Sequence, residues 1–399
     1  MAKIGFYAGS FSPVTRGHLS IVCEALNDYD KVIIGVGVND NKKQLYSQEE
    51  RCKMINAALD DLLYEYNYQD LIGHRFSRSE VTAVTRLQEN RNFVEIVGYC
   101  DLTVDCALRS GATALIRGER IVGDHDSEMQ AAILNKQILE VRKARLSMAT
   151  IPVPREDMTY ISSSNVRGLC HLGEYIAALR YVLPSVHALL MKHCLSPAFD
   201  SLIQEVHVPE SQARKIYDEL TQAYSQNRYY HTMSHIAYML NLWQAMENTK
   251  RISVRNPIAM KLAIFYHDIV NIGDAADEKE SCRMMRRICP DMKVAEAAEN
   301  LIMATAHGRE LAEPDPDMEI IHDLDLAILG DTANYGIYAA NIRREYLHCS
   351  GETYKAGRMR VLSALLAKRR IFLTDAFHEL FEKDARQNIR NELAYWQTV

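Results

Sequence analysis

Apolar and polar positions alternate differently in the two halves of the chain. Up to about Ser196, short apolar runs are separated by segments in which apolar residues recur at helical spacing. The runs KIGFYAG, KVIIGVGVN, FVEIVGY, ATALIRG and SMATIPVP predict strands, and the segments 18–28, 48–65, 101–110 and 124–143 predict helices. This alternation predicts an α/β fold with a Rossmann-like parallel sheet that carries helices on both faces.

Beyond SLIQEVHVPESQAR the strand-like runs stop and helical spacing continues to the end of the chain. It covers 211–249, 256–271, 278–288, 292–306, 318–329, 334–349 and 353–396, which predicts an all-α domain. Pro197 and Pro209 interrupt the helical pattern, so we expect domains at 1–196 and 211–399 with a linker over 197–210. The polar stretch 66–92 reads as an insertion in the first domain, in the form of a surface helix.

Composition narrows the class of protein. A hydrophobic share of 48% and a charged share of 25% in 399 residues are typical of globular domains, and a net charge of −6 disfavours nucleic acid and anionic membranes as partners. The nine cysteines include no C-x-x-C pair, which argues against a disulfide framework and against a thiolate zinc site. Apolar runs are too short for a membrane span or a signal peptide. We therefore expect a cytoplasmic protein.

The segment GSFSPVTRGHLSIV joins the first predicted strand to a helix. Gly9 and Gly17 allow close approach of the backbone, Ser10 and Thr15 offer hydroxyls, and His18 can donate a hydrogen bond to a phosphate. A tight turn with a capping Thr15 and an incidental histidine explains this segment alone equally well. The segment becomes more informative when the other strand ends are considered with it.

Further polar side chains follow other predicted strands. Lys42 follows the second strand, Arg117 ends the fourth, and the serines of YISSSNVR precede a late helix. Because the carboxyl ends of parallel strands share one edge of a sheet, these groups should lie near the first turn. Together they predict a site for a polyphosphate nucleotide.

These strings carry a family resemblance. T-x-G-H after the first strand and I-S-S-S before a helix resemble the nucleotidylyltransferase superfamily, and the set with LIRGERIVGDHDSEMQ and LPSVHALLMKHCL resembles the phosphopantetheine adenylyltransferase family over roughly 3–195, apart from 66–92. The resemblance implies transfer of the adenylyl group of ATP to 4′-phosphopantetheine, which gives dephospho-coenzyme A and pyrophosphate. It also implies Mg²⁺ that arrives with ATP, and a homo-oligomer.

The resemblance implies roles for individual residues. The catalytic residues would be Ser10, His18, Lys42 and Arg117, and the nucleotide-binding residues would be Gly9, Ser10, Phe11, Gly17, His18, Gly118, Glu128, Ser162, Ser163 and Ser164. Glu119, Gly123 and His125 stand where the family usually has apolar or aromatic residues. An adenylyl- or cytidylyltransferase with another acceptor is therefore the alternative.

In the second half, three apolar runs contain imidazoles and carboxylates. RYYHTMSH places His231 and His235 four residues apart, AIFYHDIV contains His267 and Asp268, and IHDLDLAILG contains Asp323 and Asp325. One buried histidine is more often an ordinary core residue, but burial of several such groups is costly unless they pair or bind a cation. Imidazole and carboxylate without thiolate suit Mn²⁺, Fe²⁺, Co²⁺, Ni²⁺, Mg²⁺ or Zn²⁺.

The order H…HD…D, with DEKES, LIMATAH and NIRREY, resembles the metal-dependent HD-domain phosphohydrolases over about 211–396. The resemblance implies His235, His267, Asp268 and Asp325 as metal ligands, His231 beside them, Glu278 orienting the bound water and His307 contacting the leaving phosphate. Asp323 cannot share a helical face with Asp325, and we prefer Asp325. A non-catalytic nucleotide-binding or regulatory module is the alternative. Arg228, Arg343, Arg344, Arg358, Lys368, Arg369 and Arg370 form either an anion-binding rim or solvated helix faces.

Overall fold

The structure, a computed structural model, describes residues 2–38, 45–119, 125–153, 158, 160–273, 276–306 and 315–399, with the backbone alone for 119 and 125–132. The chain forms two compact units. The first comprises Met1–Gln69 and His74–Leu190, and the second comprises Asp70–Gly73 and Met191–Val399. Within the described residues, no helix combines the length and apolar character needed to cross a membrane.

The first unit is built on a parallel sheet of five strands, in the order β3-β2-β1-β4-β5. The strands are β1 (Ile4–Gly9), β2 (Lys31–Gly37), β3 (Val94–Tyr99), β4 (Ala114–Glu119) and β5 (Ser147–Pro152). The predicted strands and the Rossmann-like parallel sheet are confirmed. From β1 the chain builds the sheet first towards β3 and then, on the other side, through β4. This reversal opens a crevice at the carboxyl ends of β1 and β4, where such sheets bind ligands.

Helices cover both faces of the sheet. The helices in this part of the chain are α1 (Arg16–Asp28), α2 (Gln48–Asn67), α3 (Gln69–Ile72), α4 (Arg78–Glu89), α5 (Thr103–Arg109), α6 (His125–Arg142), α7 (Ser163–His171), α8 (Tyr175–Leu179) and α9 (Pro184–Cys194). Most of α3 and the end of α9 belong to the second unit. On one face, Phe6 and Leu115 of the sheet pack in one cluster with Val104 of α5 and Leu139 of α6. On the other face, α1 lies against β4, where its Ile21 meets the backbone of Gly118.

Most of the polar stretch 66–92 belongs to the first unit, and only Asp70–Gly73 is assigned to the second. Its helix α4 packs against α1, and Ala83, Val84 and Leu87 of α4 are buried. The stretch is polar because the opposite side of α4 faces solvent, as expected for an amphipathic helix. It is therefore a core helix of this unit and not a helix added at its surface.

The second unit is helical, as predicted. Its helices are α10 (Ser196–Glu205), α11 (Glu210–Ala223), α12 (Met233–Asn248), α13 (Pro257–Tyr266), α14 (Asp277–Arg286), α15 (Met292–Ala304), α16 (Pro316–Leu326), α17 (Tyr335–Glu345), α18 (Gly351–Ala367) and α19 (Asp375–Thr398). Most of α10 lies within the predicted linker 197–210, and its Phe199, Leu202 and Ile203 are buried. The prediction of a linker there is wrong, because Pro197 lies in the first turn of a helix, where its missing N–H costs nothing.

Two segments predicted as continuous helices are interrupted. The segment 211–249 breaks between α11 and α12, and 353–396 breaks between α18 and α19. In each case a threonine caps the new helix: Thr232 accepts from the N–H of Ser234, and Thr374 accepts from the N–H of Phe377. Both breaks lie next to polar groups that are described in the next subsection.

Candidate functional site

The turn between β1 and α1 lies at the carboxyl edge of the sheet, where β1 adjoins β4. Phe11 adopts a left-handed backbone conformation, with φ of 47°. A Cβ on Gly9 would lie 2.9 Å from the Phe11 ring, so glycine is what lets this ring fold back over the end of the strand. The ring then packs edge-on against Tyr7 and His18, with centroids 5.4 and 5.1 Å away. The turn is thus fixed by aromatic packing next to His18.

The orientation of His18 follows from its neighbour Thr15. The backbone N–H of Thr15 donates to Nδ1 of His18 over 3.0 Å, and the Thr15 hydroxyl lies 2.8 Å from the same nitrogen. Because Nδ1 accepts a hydrogen bond from an amide, the neutral ring carries its proton on Nε2. His18 also lies in the first turn of α1, where the helix dipole favours an anion. It is therefore poised as a hydrogen-bond donor to a phosphate.

Donors from elsewhere in the unit bind three carbonyls of the turn. Arg51 of α2 donates to the Ser10 carbonyl over 2.6 Å, and Arg167 of α7 donates to the Ser12 carbonyl. The hydroxyl of Ser163 donates to the Pro13 carbonyl over 2.8 Å. Sequence reasoning gave no role to Arg51, because its helical surroundings do not reveal where its side chain points.

The three predicted serines lie at the start of α7, which the Ser163 bond attaches to the turn. Ser162 caps α7 by accepting from the N–H of Asn165, and Ser164 accepts from Arg167 over 3.1 Å. The hydroxyls of all three serines are therefore engaged within the protein. Their contact with a nucleotide stays a prediction, and their observed role is to join α7 to the turn.

At β4, Arg117 and Gly118 lie beside β1 near the same edge. A Cβ on Gly118 would lie 2.1 Å from Cδ1 of Ile21, so packing of α1 already requires glycine there. A Cβ on Gly17 would meet only ordinary contacts, the closest at 3.5 Å. The predictions for Lys42 and Gly123 lie outside the described residues, as do those for the side chains of Glu119, His125 and Glu128.

In the second unit, a cluster of imidazoles and carboxylates forms where three helices meet. His235 lies in the first turn of α12, His267 and Asp268 directly follow α13, and Asp325 lies near the end of α16. Nε2 of His235 lies 3.2 Å from Nε2 of His267 and 3.1 Å from Oδ1 of Asp325. Oδ2 of Asp268 lies 3.2 Å from Nε2 of His267. One ligand atom each of His235, His267 and Asp268 thus fits within 4.8 Å.

This arrangement fits a divalent cation. Nδ1 of His267 faces the Ile264 carbonyl at 3.0 Å, which directs the lone pair of Nε2 towards Nε2 of His235. Burial lowers the pKa of His235. At His267 the carboxylates of Asp268 and Asp325 outweigh burial and raise the pKa to about 9. A proton can therefore hold the cluster together without metal, and a cation with imidazole and carboxylate ligands can replace it.

His231 stands beside this cluster and is held by a residue that sequence reasoning did not single out. Its Nδ1 lies 2.6 Å from Oε2 of Glu345, whose other oxygen accepts the N–H groups of Tyr229, Tyr230 and His231. Its Nε2 lies 3.9 Å from Oδ2 of Asp268. Glu345 belongs to the quoted string NIRREY, which was the one signal that could have indicated it.

Asp323 does not face the cluster. It is fully buried, and its carboxylate accepts the N–H groups of Leu373 and Thr374 and the Thr374 hydroxyl over 2.7–2.8 Å. Asp323 therefore holds the break between α18 and α19, and the neighbouring carboxylate of Asp325 is the one that approaches His235.

Other predicted residues of this half lie apart from the cluster. Glu278 of α14 makes no hydrogen bond or ion pair with it among the residues that the structure describes, and His307 lies outside those residues. Arg228 donates to the carbonyls of Asp268 and Ile269, and Arg358 pairs with Glu392. Arg343 and Arg370 likewise donate to backbone carbonyls. All four arginines thus have partners within the fold, and their part in an anion-binding rim stays a prediction.

Comparisons with known proteins agree with the geometry of the first unit. The family described as cytidylyltransferase-like matches residues 6–169. Phosphopantetheine adenylyltransferase of Rhizobium rhizogenes is 32% identical over 194 residues, which are 48% of this chain and 97% of the relative. The enzymes of that name from Moorella thermoacetica and Porphyromonas gingivalis are 30% and 32% identical, over 96% and 92% of their lengths and 48% and 44% of this chain. The chain therefore belongs, through its N-terminal half, to the phosphopantetheine adenylyltransferase family.

Proposed function

We propose that the first unit transfers the adenylyl group of ATP to 4′-phosphopantetheine. The observation that carries this proposal is the turn after β1, where the Thr15 amide keeps the proton of neutral His18 on Nε2, at the sheet edge next to β4. A nucleotidyltransferase needs such a donor beside the triphosphate. The family's phosphopantetheine acceptor comes to this chain by similarity to the relatives named above.

In the proposed reaction, an oxygen of the 4′-phosphate forms a bond to the α-phosphorus of ATP, and the bond from that phosphorus to the α,β-bridging oxygen breaks. Pyrophosphate leaves with the electron pair. Such a transfer needs positioning and charge stabilisation more than covalent catalysis. We assign Nε2–H of His18 and the guanidinium of Arg117 to the charge that develops on the phosphoryl oxygens, with Lys42 and Ser10 as further phosphate contacts. Mg²⁺ would enter with ATP and neutralise part of its charge.

The test measures pyrophosphate release from ATP with and without 4′-phosphopantetheine, together with chromatography of dephospho-coenzyme A. His18→Ala should lower acceptor-dependent release about 10²–10³-fold. His171→Ala is the matched control, because His171 is an exposed histidine at the end of α7 in the same unit. Release that does not depend on phosphopantetheine would contradict the proposed acceptor and favour another phosphorylated acceptor. Light scattering of the same sample tests the predicted homo-oligomer.

For the second unit we propose a metal-dependent phosphohydrolase with His235, His267, Asp268 and Asp325 as ligands. The observation that favours it is the convergence of two imidazole nitrogens, 3.2 Å apart, with two carboxylates. A bound cation would acidify a water molecule and polarise a phosphoryl oxygen. The chain's own contribution is the rigid placement of these ligands.

The phosphohydrolase is tested in the His18→Ala background and without phosphopantetheine, so that the first unit produces little pyrophosphate. Phosphate release from pyrophosphate and from nucleotides is measured with each of the six candidate cations. His267→Ala should abolish the release, whereas His348→Ala, an exposed histidine of the same unit, should not. Metal binding without release from any of these substrates would favour the regulatory alternative.

A further inference from the structure

Arg51 of α2 is a buried cation whose observed acceptors are all backbone carbonyls. It is 1% exposed. Its Nη1 donates to the carbonyls of Ser10 and Gly37 over 2.6 and 2.9 Å, and its Nε approaches the Ser47 carbonyl at 3.4 Å. Among the described residues, no carboxylate lies within ion-pair distance of its guanidinium. Within the described part of the chain, Arg51 thus joins three segments of backbone through carbonyl acceptors alone.

A partly buried arginine of the same unit has a different kind of partner. Arg16 donates to both oxygens of Glu65 over 2.7 and 2.8 Å, which balances its charge. A buried ion without a partner is costly, and burial lowers the pKa of the Arg51 guanidinium. Arginine nevertheless stays protonated at neutral pH. Among the described residues of this unit, no carboxylate therefore balances the positive charge of Arg51.

The location of this charge is informative. Gly9 and Gly37 are the last residues of β1 and β2, two adjacent parallel strands, so Arg51 lies at the carboxyl edge of the sheet next to the turn. In a planar trans peptide the N–H points opposite to the carbonyl. Because the Ser10 carbonyl faces Arg51, the N–H of Phe11 faces away from α2. Arg51 therefore acts on both the charge and the backbone orientation of the turn.

We propose that Arg51 is a positioning residue for the polyphosphate part of the nucleotide: it fixes the Ser10–Phe11 peptide with its N–H towards the phosphates, and its buried charge adds a positive potential there. This inference rests on the proposed adenylyltransferase function. It assigns Arg51 to the phosphates and not to the adenine or ribose, which gives it a distinctive signature in binding experiments.

The experiment uses the full chain and measures binding of ATP, inorganic pyrophosphate and adenosine by calorimetry, together with the thermal midpoint. Arg51→Met removes the charge and its hydrogen bonds, and Arg51→Lys keeps the charge. Arg86→Met is the matched control, because Arg86 of α4 also donates to carbonyls, those of Leu26, Tyr29 and Asp30, which precede β2 at the opposite edge of the sheet.

Arg51→Met should weaken the binding of ATP and of pyrophosphate at least about tenfold, which is the scale of a lost charge-assisted hydrogen bond. The affinity for adenosine should not change. Arg51→Lys should restore most of the loss. Arg86→Met should lower the thermal midpoint and leave all three affinities unchanged. Equal weakening of ATP and adenosine by Arg51→Met, wild-type affinity for pyrophosphate in that variant, or an equal loss in Arg86→Met would overturn the proposal. A wild-type chain that binds ATP but makes no dephospho-coenzyme A contradicts the proposed acceptor alone and leaves this comparison valid.

Discussion

Substitutions of two aspartates in α16 should have different effects on the stabilisation of the protein by a metal ion. Asp325 approaches His235 at 3.1 Å, whereas Asp323, two residues earlier in α16, binds the backbone at Leu373 and Thr374. We expect Asp325→Asn to abolish stabilisation by a divalent cation. Asp323→Asn should leave that stabilisation intact and destabilise the protein at every metal concentration. The two carboxylates are thus a matched pair for separating a ligand from a structural acid.

The magnitudes follow from linkage. A cation at one hundred times its dissociation constant stabilises the folded state by about 2.7 kcal/mol, which for a unit of this size corresponds to a shift of about 5–10 °C in the thermal midpoint. If Asp325→Asn weakens binding about a hundredfold, the same cation concentration gives about 0.4 kcal/mol, or about 1 °C. Asp323→Asn weakens three buried hydrogen bonds to a carboxylate and should cost about 3 kcal/mol with or without metal.

The assay is differential scanning calorimetry of chelator-treated protein, titrated separately with Mn²⁺, Fe²⁺, Co²⁺, Ni²⁺, Mg²⁺ and Zn²⁺. Elemental analysis should find one ion per chain in the wild type and in Asp323→Asn after removal of free metal. If Asp325→Asn retains the full shift while Asp323→Asn loses it, the assignment of ligands is wrong. If none of the six cations shifts a transition of the wild type, the cluster is a protonated structural core and the proposed hydrolase fails with it.

Three further perturbations concern the first unit. His18→Ala should lower kcat of adenylyl transfer about 10²–10³-fold with a smaller change in KM for ATP, as steady-state kinetics beside His171→Ala will check. His187 is buried, and burial lowers its pKa from 6.5 to about 4. Because the unfolded state then binds a proton at higher pH than the folded state, the free energy of unfolding should fall by about 3 kcal/mol as the pH drops from 6.5 to 4. Denaturation of His187→Gln should show a flatter pH profile over that range, and an unchanged slope would contradict the assignment. Gly118→Ala should lower the free energy of unfolding by about 1–3 kcal/mol, because the added Cβ meets Ile21. In a double-mutant cycle, adding Ile21→Val should recover part of that loss, and strictly additive effects would exclude the contact.

The sheet could be predicted because its central strands are buried from both sides. In β2 the five residues Val32–Val36 are all buried, so the sequence shows a continuous apolar run and not an alternating one. Helical spacing before and after each run then indicates crossover helices, and crossovers imply parallel strands. The apolar pattern alone was sufficient to predict this strand, because every residue of the run is buried.

Helix boundaries in the second unit could not be predicted from the same pattern. Apolar spacing continues through the breaks before α12 and α19, since buried residues such as Ile371 and Phe372 lie in the second break itself. At Pro197 the error was the opposite one, because a linker was predicted where the chain forms a helix. A proline is compatible with the first turn of a helix as well as with a linker, and only the burial of Phe199 distinguishes the two.

For the polar residues, the success of sequence reasoning depended on how far along the chain the partner lies. His18 finds its partner Thr15 within one helical turn, so the short motif already contains the geometry that makes it a donor. Arg51 finds the Ser10 carbonyl 41 residues away, and His231 finds Glu345 across 114 residues. No local spacing in the sequence encodes such long-range pairs. Two side chains of the same type can therefore have different roles, because each role depends on the distant partner. The long-range partners are therefore the contacts that double-mutant cycles must establish, because each decides whether a charged residue serves a ligand or the fold.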